Sequence, residues 1–366
     1  MKRFVLAILG LSVCGLLWCV AAPQQAPPAQ PAGPAQPAKA AEQPEQPTFR
    51  TEPTEVIVPV TVTDDLGRFV SNLTKEDFRI LDEGRPQLIR YFNHAPQQPI
   101  VVGFLVDLGS GSRIHWATYQ EAIRDLIWDL LPGDKKYSGY LISYGAEAEL
   151  AVNTTTDGGK LADKVAKMKP GGGSALYDAI YMACMRRELV PGEPYDPRRV
   201  IIVIGDGNNN NGSRNLEEVL ELAKRKQVTI YGMSTVSYGS DNENRETLER
   251  LASETGGRVE YPLGPGLYKD ISGFISKPMD AGNYVYEAGT GGYAGEVSRA
   301  IINAVANLQG NITTQYVLRY VPDIDPGASE KVFRKIKVEI PSWPSMKISA
   351  RDGYFPMPVP GAPPAR

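Results

Sequence analysis

The hydrophobic positions in the first part of the folded chain alternate with other residues. Four valines between residues 56 and 62 lie two residues apart, which is the period of a strand with one buried face. Further short strands are predicted at 78–81 and 88–92, and the sequence Asp-Glu-Gly at 82–84 predicts the turn between them. The pattern predicts a small antiparallel β-unit.

From residue 100 onwards the pattern changes to continuous apolar runs separated by helical stripes. The runs are typical of strands buried on both faces and occupy residues 100–106, 140–142, 200–204 and 228–231. Between them, apolar residues recur at helical spacing near 123–131, 176–183, 216–223 and 248–252. This alternation predicts an α/β domain with a doubly wound, mainly parallel sheet of the Rossmann-like kind.

The last part of the chain predicts one more helix and then β-structure. Helical spacing covers residues 297–308, and β-like segments follow at 316–320, 332–340 and 346–350. We expect these late strands to pair with the early ones, so that an accessory antiparallel β-unit is built from the N- and C-terminal flanks.

The two ends of the chain have the composition of a targeting segment and of spacers. Lys2 and Arg3 precede an apolar run at 4–20 and two alanines, which is the layout of a secretory signal peptide. We therefore expect an exported protein that is periplasmic, cell-surface or secreted, with no transmembrane segment after signal cleavage. The predicted organisation is a signal peptide (1–22), a Pro/Ala/Gln-rich linker (23–47), the N-terminal part of the β-unit (48–97), the α/β domain (98–310), C-terminal β segments (311–355) and a Pro-rich tail (356–366).

Composition and charge exclude several classes of function. The formal net charge is −3, so the chain has no basic excess with which to bind a nucleic-acid backbone. Two histidines, His94 and His115, leave little room for a histidine-based zinc site or a Ser-His-Asp triad. We expect a protein that is not an enzyme.

Candidate chemistry lies at the predicted carboxyl ends of the parallel strands. Asp107 and Asp206 each end or follow a buried run, and Ser174 precedes a predicted helix. Carboxylate and hydroxyl oxygens at one edge of a sheet suit Mg²⁺, Mn²⁺ or Ca²⁺. Each of the three residues is also a common helix cap when taken alone. Their coincidence at strand ends favours a metal site.

Three segments in this order resemble the metal-site segments of a von Willebrand factor type A domain. They are residues 104–107 (Phe-Leu-Val-Asp), 172–180 (Gly-Gly-Ser-Ala-Leu-Tyr-Asp-Ala-Ile) and 203–207 (Val-Ile-Gly-Asp-Gly). Flanking stretches resemble those of the VWFA-related acidobacterial domain family, and they are residues 74–78, 315–320, 333–338 and 351–355. The resemblance covers nearly all of residues 50–355 and implies an extracytoplasmic module.

The resemblance implies a metal-ion-dependent adhesion site, where a partner's carboxylate completes the shell of a divalent cation. Asp107 matches its first aspartate, Ser174 its threonine and Asp206 its second aspartate. The family pattern Asp-x-Ser-x-Ser places serines at 109 and 111, whereas this chain has glycines there and carries Ser110 and Ser112 one residue later. Either the loop is one residue longer and these serines still reach the metal, or two ligands are lost.

The function expected from these observations is a protein-binding module for adhesion or assembly. The expected cofactor is Mg²⁺ or Mn²⁺, with Ca²⁺ as a further option, and the expected partner is a protein that presents an acidic side chain. A metal-free interaction scaffold is the alternative. A remote alternative is an S-adenosylmethionine-dependent methyltransferase, because Asp107, Gly109 and Gly111 resemble a nucleotide-binding turn. The oligomeric state and the identity of the partner remain open.

Overall fold

The computed structural model describes residues 55–94, 99–113, 115–133, 135–186, 189, 197–236, 244–264, 292–323 and 331–356. The predicted signal peptide, linker and most of the tail lie outside these residues. The strands are β1 Val56–Thr63, β2 Arg79–Asp82, β3 Arg85–Gln87, β4 Tyr91–His94, β5 Ile100–Asp107, β6 Tyr137–Tyr144, β7 Ala148–Thr155, β8 Arg198–Gly205, β9 Thr229–Ser234, β10 Val259–Glu260, β11 Tyr316–Tyr320, β12 Arg334–Glu339, β13 Lys347–Ala350 and β14 Gly353–Tyr354. The helices are α1 Trp116–Leu130, α2 Gly158–Val165, α3 Leu176–Met185, α4 Leu216–Arg225, α5 Arg245–Ser253 and α6 Gly292–Thr313.

A six-stranded sheet with helices on both faces forms the centre of the fold. Its strand order is β10-β9-β8-β5-β6-β7, and every neighbouring pair is parallel except β6 and β7. All residues of β5 and β8 are buried, which explains why these strands are almost continuously apolar in the sequence. One apolar core packs the sheet against α1 and α6, and a second packs its other face against α3, α4 and α5. The predicted doubly wound, mainly parallel fold is confirmed.

The accessory β-unit consists of two four-stranded sheets that share one apolar core. Their strand orders are β13-β1-β11-β4 and β14-β12-β2-β3. The early strand β1 pairs antiparallel with the late strands β11 and β13, and β2 pairs with β12. The prediction that the N- and C-terminal flanks build one antiparallel unit is therefore confirmed.

A buried ion pair lies inside this β-unit. The Asp82 carboxylate is fully buried and accepts hydrogen bonds from the Tyr320 and Tyr354 hydroxyls, each at 2.9 Å, and from Arg334 Nε at 3.0 Å. Since burying a carboxylate without partners is costly, these three hydrogen bonds offset part of the cost of burying Asp82. The network joins residues that are more than 230 positions apart in the sequence.

The β-unit contacts the α/β domain at the amino ends of the parallel strands. Arg198, the first residue of β8, donates to Gln315 Oε1 at 2.6 Å, and the Gln315 amide donates to Tyr231 Oη at 2.6 Å. Lys224, near the end of α4, forms ion pairs with Glu254 at 2.8 Å and Asp352 at 3.3 Å. These segments lead into strands rather than follow them, so the β-unit lies at the end of the sheet opposite the candidate site.

Several elements were not anticipated, namely the short strands β3, β10 and β14, the edge strand β7 and helix α2, and one predicted strand is displaced. The antiparallel edge strand β7 and helix α2 have weak sequence signals, because β7 is only partly buried and α2 has eight residues. The strand expected at 88–92 begins at Tyr91 and extends to His94. No helix in the described parts of the chain combines the length and apolar character needed to cross a membrane.

Candidate metal centre

Three loops at the carboxyl ends of two adjacent strands form the candidate site. Asp107 is the last residue of β5, Asp206 directly follows the neighbouring strand β8, and Ser174 lies two residues before α3. The loops are joined by backbone hydrogen bonds from Ser110 N to Gly172 O at 3.0 Å and from Asn211 N to Ser174 O at 3.0 Å. The predicted convergence of these loops is present in the structure.

Asp107 is a buried carboxylate held by several donors. It is 1 % exposed; Oδ1 accepts from the Gly109 amide at 2.7 Å and Oδ2 accepts from the Ser112 hydroxyl at 2.9 Å. Burial raises the pKa of Asp107 to about 6, with a further rise from the Asp206 charge that the Gly109 and Ser112 hydrogen bonds oppose. The protein thus places two carboxylates close together, and a cation between them would relieve their repulsion.

The first loop takes a path on which a side chain at position 109 or 111 would be crowded. A Cβ atom at Gly109 would lie 3.0 Å from Asp107 Oδ1 and 3.5 Å from Ser174 Cβ, and one at Gly111 would overlap Asp206 Oδ2. Serines at these two positions would therefore require neighbouring groups such as the Asp107 and Asp206 carboxylates to shift. Positions 109 and 111 of this loop thus lie close to Asp107, Ser174 and Asp206, so these three predicted ligands line one small region.

Ser110 and Ser112 occupy different environments in a short 3₁₀ turn, Ser110–Arg113. Ser112 is buried and its hydroxyl donates to Asp107, so one of the two shifted serine hydroxyls lies at the site. Ser110 is exposed, and its backbone amide rather than its hydroxyl links the first loop to the second. The structure brings together Asp107, Ser112, Ser174 and Asp206, and places Ser110 at the rim.

The asparagine run at 208–211 holds the second loop in place. The Ser174 hydroxyl donates to Asn208 O at 2.8 Å, Asn210 Oδ1 accepts from Ser174 N at 2.8 Å, and Asn209 Oδ1 accepts from Tyr177 N at 3.0 Å. Asn209 and Asn210 thereby satisfy amide donors at the start of α3 that lack an intrahelical partner. Sequence reasoning missed this role because Asn209 lies 32 positions from Tyr177 and Asn210 lies 36 positions from Ser174, so the sequence around α3 carries no local signal for it.

A buried tyrosine lies beneath the two aspartates. Tyr144 ends β6, and its hydroxyl has no hydrogen-bond partner in the described structure. A Cβ atom at Gly205 would lie 2.5 Å from Tyr144 Oη and 2.7 Å from Asp107 Cβ, so glycine at 205 lets both groups approach β8. Burial, together with the charges of Asp107 and Asp206, raises the pKa of Tyr144 well above its ordinary value. The hydroxyl therefore stays protonated next to the carboxylates.

The oxygen donors of these four residues fit a hard divalent cation. Two carboxylates and two hydroxyls are the ligand types that Mg²⁺ and Mn²⁺ prefer. The pKa of Asp107 is raised chiefly by burial and further by the nearby Asp206 charge, so a bound cation would favour its ionised form. In the described residues, no cluster of three or more His, Cys, Asp or Glu side chains could hold a metal, so such a site depends on the serines.

Residues 102–262 match the family model of the von Willebrand factor type A domain. The match spans β5 to β10 and contains all three loops of the site. This part of the chain is therefore a type A domain, as its sequence resemblance implied. The match does not reach the accessory β-unit, and the assignment to the VWFA-related acidobacterial family stays a prediction.

Several solved structures are similar in fold. A conserved hypothetical protein, BatB, from Bacteroides thetaiotaomicron is 20% identical, covers 49% of this chain and 98% of its own, and has a TM-score of 0.35. A von Willebrand factor type A protein from Catenulispora acidiphila is 13% identical over 61% of this chain and 49% of its own, with a TM-score of 0.38. Three N-terminal domains of the type V pili tip protein Mfa5 from Porphyromonas gingivalis are 12% identical over 57% and 54%, with a TM-score of 0.38. No curated protein sequence matches the chain.

Proposed function

We propose that the protein is a non-enzymatic binding module whose type A domain recognises a partner protein through a divalent cation. The observation that carries the proposal is the convergence of Asp107, Ser112, Ser174 and Asp206 at the carboxyl edge of the sheet. When bound, Mg²⁺ or Mn²⁺ would act as a Lewis acid for an Asp or Glu side chain of the partner. The protein's predicted export and proline-rich spacer are consistent with display outside the cytoplasm.

Each residue of this centre has a distinct task in the proposal. Asp107 and Asp206 supply negative charge, and Ser112 and Ser174 supply neutral oxygens. The asparagine run positions Ser174 by accepting from its amide and hydroxyl. Because the β-unit packs at the opposite end of the sheet, it leaves a partner's access to these loops unobstructed.

The first experiment is calorimetric titration of the full chain with Mn²⁺ and with Mg²⁺. We expect binding that is lost in Asp107→Asn and Asp206→Asn and weakened in Ser112→Ala. Ser110→Ala is the matched control, because it removes a hydroxyl from the same turn without touching Asp107. Equal affinity of the Ser112 and Ser110 variants would show that the longer loop does not ligate through Ser112.

The second experiment tests recognition of the partner's acidic group. Immobilised peptides that contain Asp or Glu are compared with versions that contain Asn or Gln. We expect retention of the acidic peptides in Mg²⁺ and release in EDTA, with no retention by Asp206→Asn. Metal binding without retention of acidic peptides would contradict the proposed partner chemistry while leaving the metal site intact.

A metal-free scaffold is the second candidate, and one observation favours it. The Ser112 hydroxyl donates to Asp107 Oδ2 and the Ser174 hydroxyl donates to Asn208 O, so these polar groups have hydrogen-bond partners within the protein without a cation. If neither cation binds, partner recognition falls to the loops and sheet edges without metal.

A further inference from the structure

A groove of about 330 Å³ lies between α1 and α6, away from the loops of the candidate metal centre. Ala122 of α1 and Val305 of α6 form its nearly buried floor. Trp128 and Ile302 also line it, and these two large apolar side chains are 52% and 59% exposed. A concave surface between helices with exposed large apolar residues is typical of a site that receives a partner's side chain.

One edge of the Trp128 indole lies against the neighbouring helix α2. A Cβ atom at Gly159 of α2 would lie 3.4 Å from Trp128 Cη2, so the indole edge rests against a position that has no side chain. An aromatic ring that is already positioned loses little conformational freedom on binding, and tryptophan is enriched among the residues that dominate interface energies.

Acidic residues line the same side of the groove. Glu121, Asp125 and Asp129 follow one another at four-residue spacing along α1, and the last two line the groove. Like charges at this spacing destabilise a helix. Within the described part of the chain, none of the three carboxylates lies within ion-pair distance of a Lys or Arg, so this repulsion is not relieved there.

We propose that the α1–α6 groove binds a basic amphipathic helix of a partner protein. An apolar side chain of that helix would enter the groove between Trp128 and Ile302. Lys or Arg residues four positions apart on the same helix would face Asp125 and Asp129, because the spacing of i and i+4 residues is equal on both helices. This surface is separate from the candidate metal centre and does not depend on a cation.

Charge complementarity selects this occupant over two others. In a symmetric dimer the same patch faces itself, which would bring two acidic rows together. An anionic membrane surface would be repelled for the same reason. A basic helix both covers the apolar groove and neutralises the carboxylates.

The test uses the full chain and three fluorescein-labelled synthetic peptides of equal length, followed by fluorescence anisotropy. One peptide is a Leu/Lys amphipathic helix, the second replaces each Lys with Glu, and the third is a scrambled Leu/Lys sequence. We expect the Leu/Lys helix to bind in EDTA and the other two to bind at least about tenfold more weakly.

Matched variants distinguish binding in the groove from nonspecific binding of the peptide elsewhere on the protein surface. Trp128→Ser is compared with Trp343→Ser, since both tryptophans are 52% exposed. We expect a loss of at least about tenfold for Trp128→Ser and no change for Trp343→Ser.

Two double variants, each of which removes two carboxylates, test the contribution of charge to binding. Asp125→Asn with Asp129→Asn should weaken binding about fivefold, whereas the same loss of charge at Asp65→Asn with Glu76→Gln should not. Absence of binding by the Leu/Lys helix, equal effects of the two tryptophan variants, or equal binding of the scrambled peptide would overturn the proposal. Sedimentation that shows a dimer dissociated by Trp128→Ser would overturn it in favour of a second copy of the chain.

Discussion

Replacing Asp107 with asparagine tests whether the candidate site is built around a buried, destabilising charge. Asp107 is 1 % exposed, and burial raises its pKa from 3.8 to about 6, with Asp206 adding to the rise. In the unfolded chain the carboxyl has its ordinary pKa. The folded state therefore binds a proton more tightly at this group than the unfolded state does.

The sign of the pH dependence follows from this difference. Above about pH 6 the group is ionised in both states, and the folded state bears the full cost of the buried charge. Below about pH 4 it is protonated in both states and the cost is absent. A difference of about two pKa units corresponds to about 3 kcal/mol, so this group makes the fold more stable as the pH falls from about 6 to about 4.

The assay is urea unfolding in EDTA between about pH 4 and about pH 7, with the wild type and Asp107→Asn compared at each pH. Asparagine does not ionise, and titrating groups that do not interact with Asp107 cancel in the difference between the two proteins. We expect the variant's free energy of unfolding, relative to wild type, to be about 3 kcal/mol higher at the upper pH than at the lower.

An exposed carboxylate and a metal ion provide the controls. Asp163→Asn removes a carboxylate from the surface of α2 and should leave the difference flat. Adding Mg²⁺ near neutral pH should stabilise the wild type but not Asp107→Asn, since a ligand that binds only the folded state adds RT ln(1 + [L]/Kd). A wild-type to Asp107→Asn difference that stays constant with pH would refute the reasoning.

Three further substitutions test the packing around the site and in the β-unit, each by thermal unfolding. Gly205→Ala places a Cβ atom 2.7 Å from Asp107 Cβ and should destabilise by about 1–3 kcal/mol, whereas Gly171→Ala, with no heavy atom within 4 Å, should be close to neutral. Asp82→Asn leaves the Arg334 guanidinium without its ion pair and should cost about 3 kcal/mol. Asn209→Ala removes an acceptor at the start of α3 and should cost about 1 kcal/mol. Equal melting temperatures for the two glycine variants, or unchanged stability in either of the others, would contradict the contacts from which these values are derived.

The central sheet was predictable because its strands are buried on both faces. Such strands must be apolar at nearly every position, so β5 and β8 are visible as continuous runs in the sequence. The edge strand β7 is only partly buried and pairs antiparallel, which leaves a mixed pattern that resembles a loop. The signal for a strand is therefore weaker where burial is weaker.

The candidate site was predictable in its aspartates and less so in its serines. Asp107 and Asp206 follow apolar runs, and parallel strands bring their carboxyl ends to one edge. The sequence left open whether Ser110 and Ser112 reach that edge, because a loop path depends on contacts with other loops. The structure shows that Ser112 contacts Asp107 and that Gly109 and Gly111 make the path sterically possible.

The amino-acid sequence by itself determined the fully buried strands, the main amphipathic helices and where the carboxylates lie along them, since periodicity and local burial are properties of nearby residues. Only the tertiary structure decided which distant groups meet. It joined Asp82 to Tyr354, placed the asparagine run against Ser174, and set Trp128 beside Ile302. Contacts of this kind depend on how elements pack in three dimensions, and local sequence pattern carries no information about that packing.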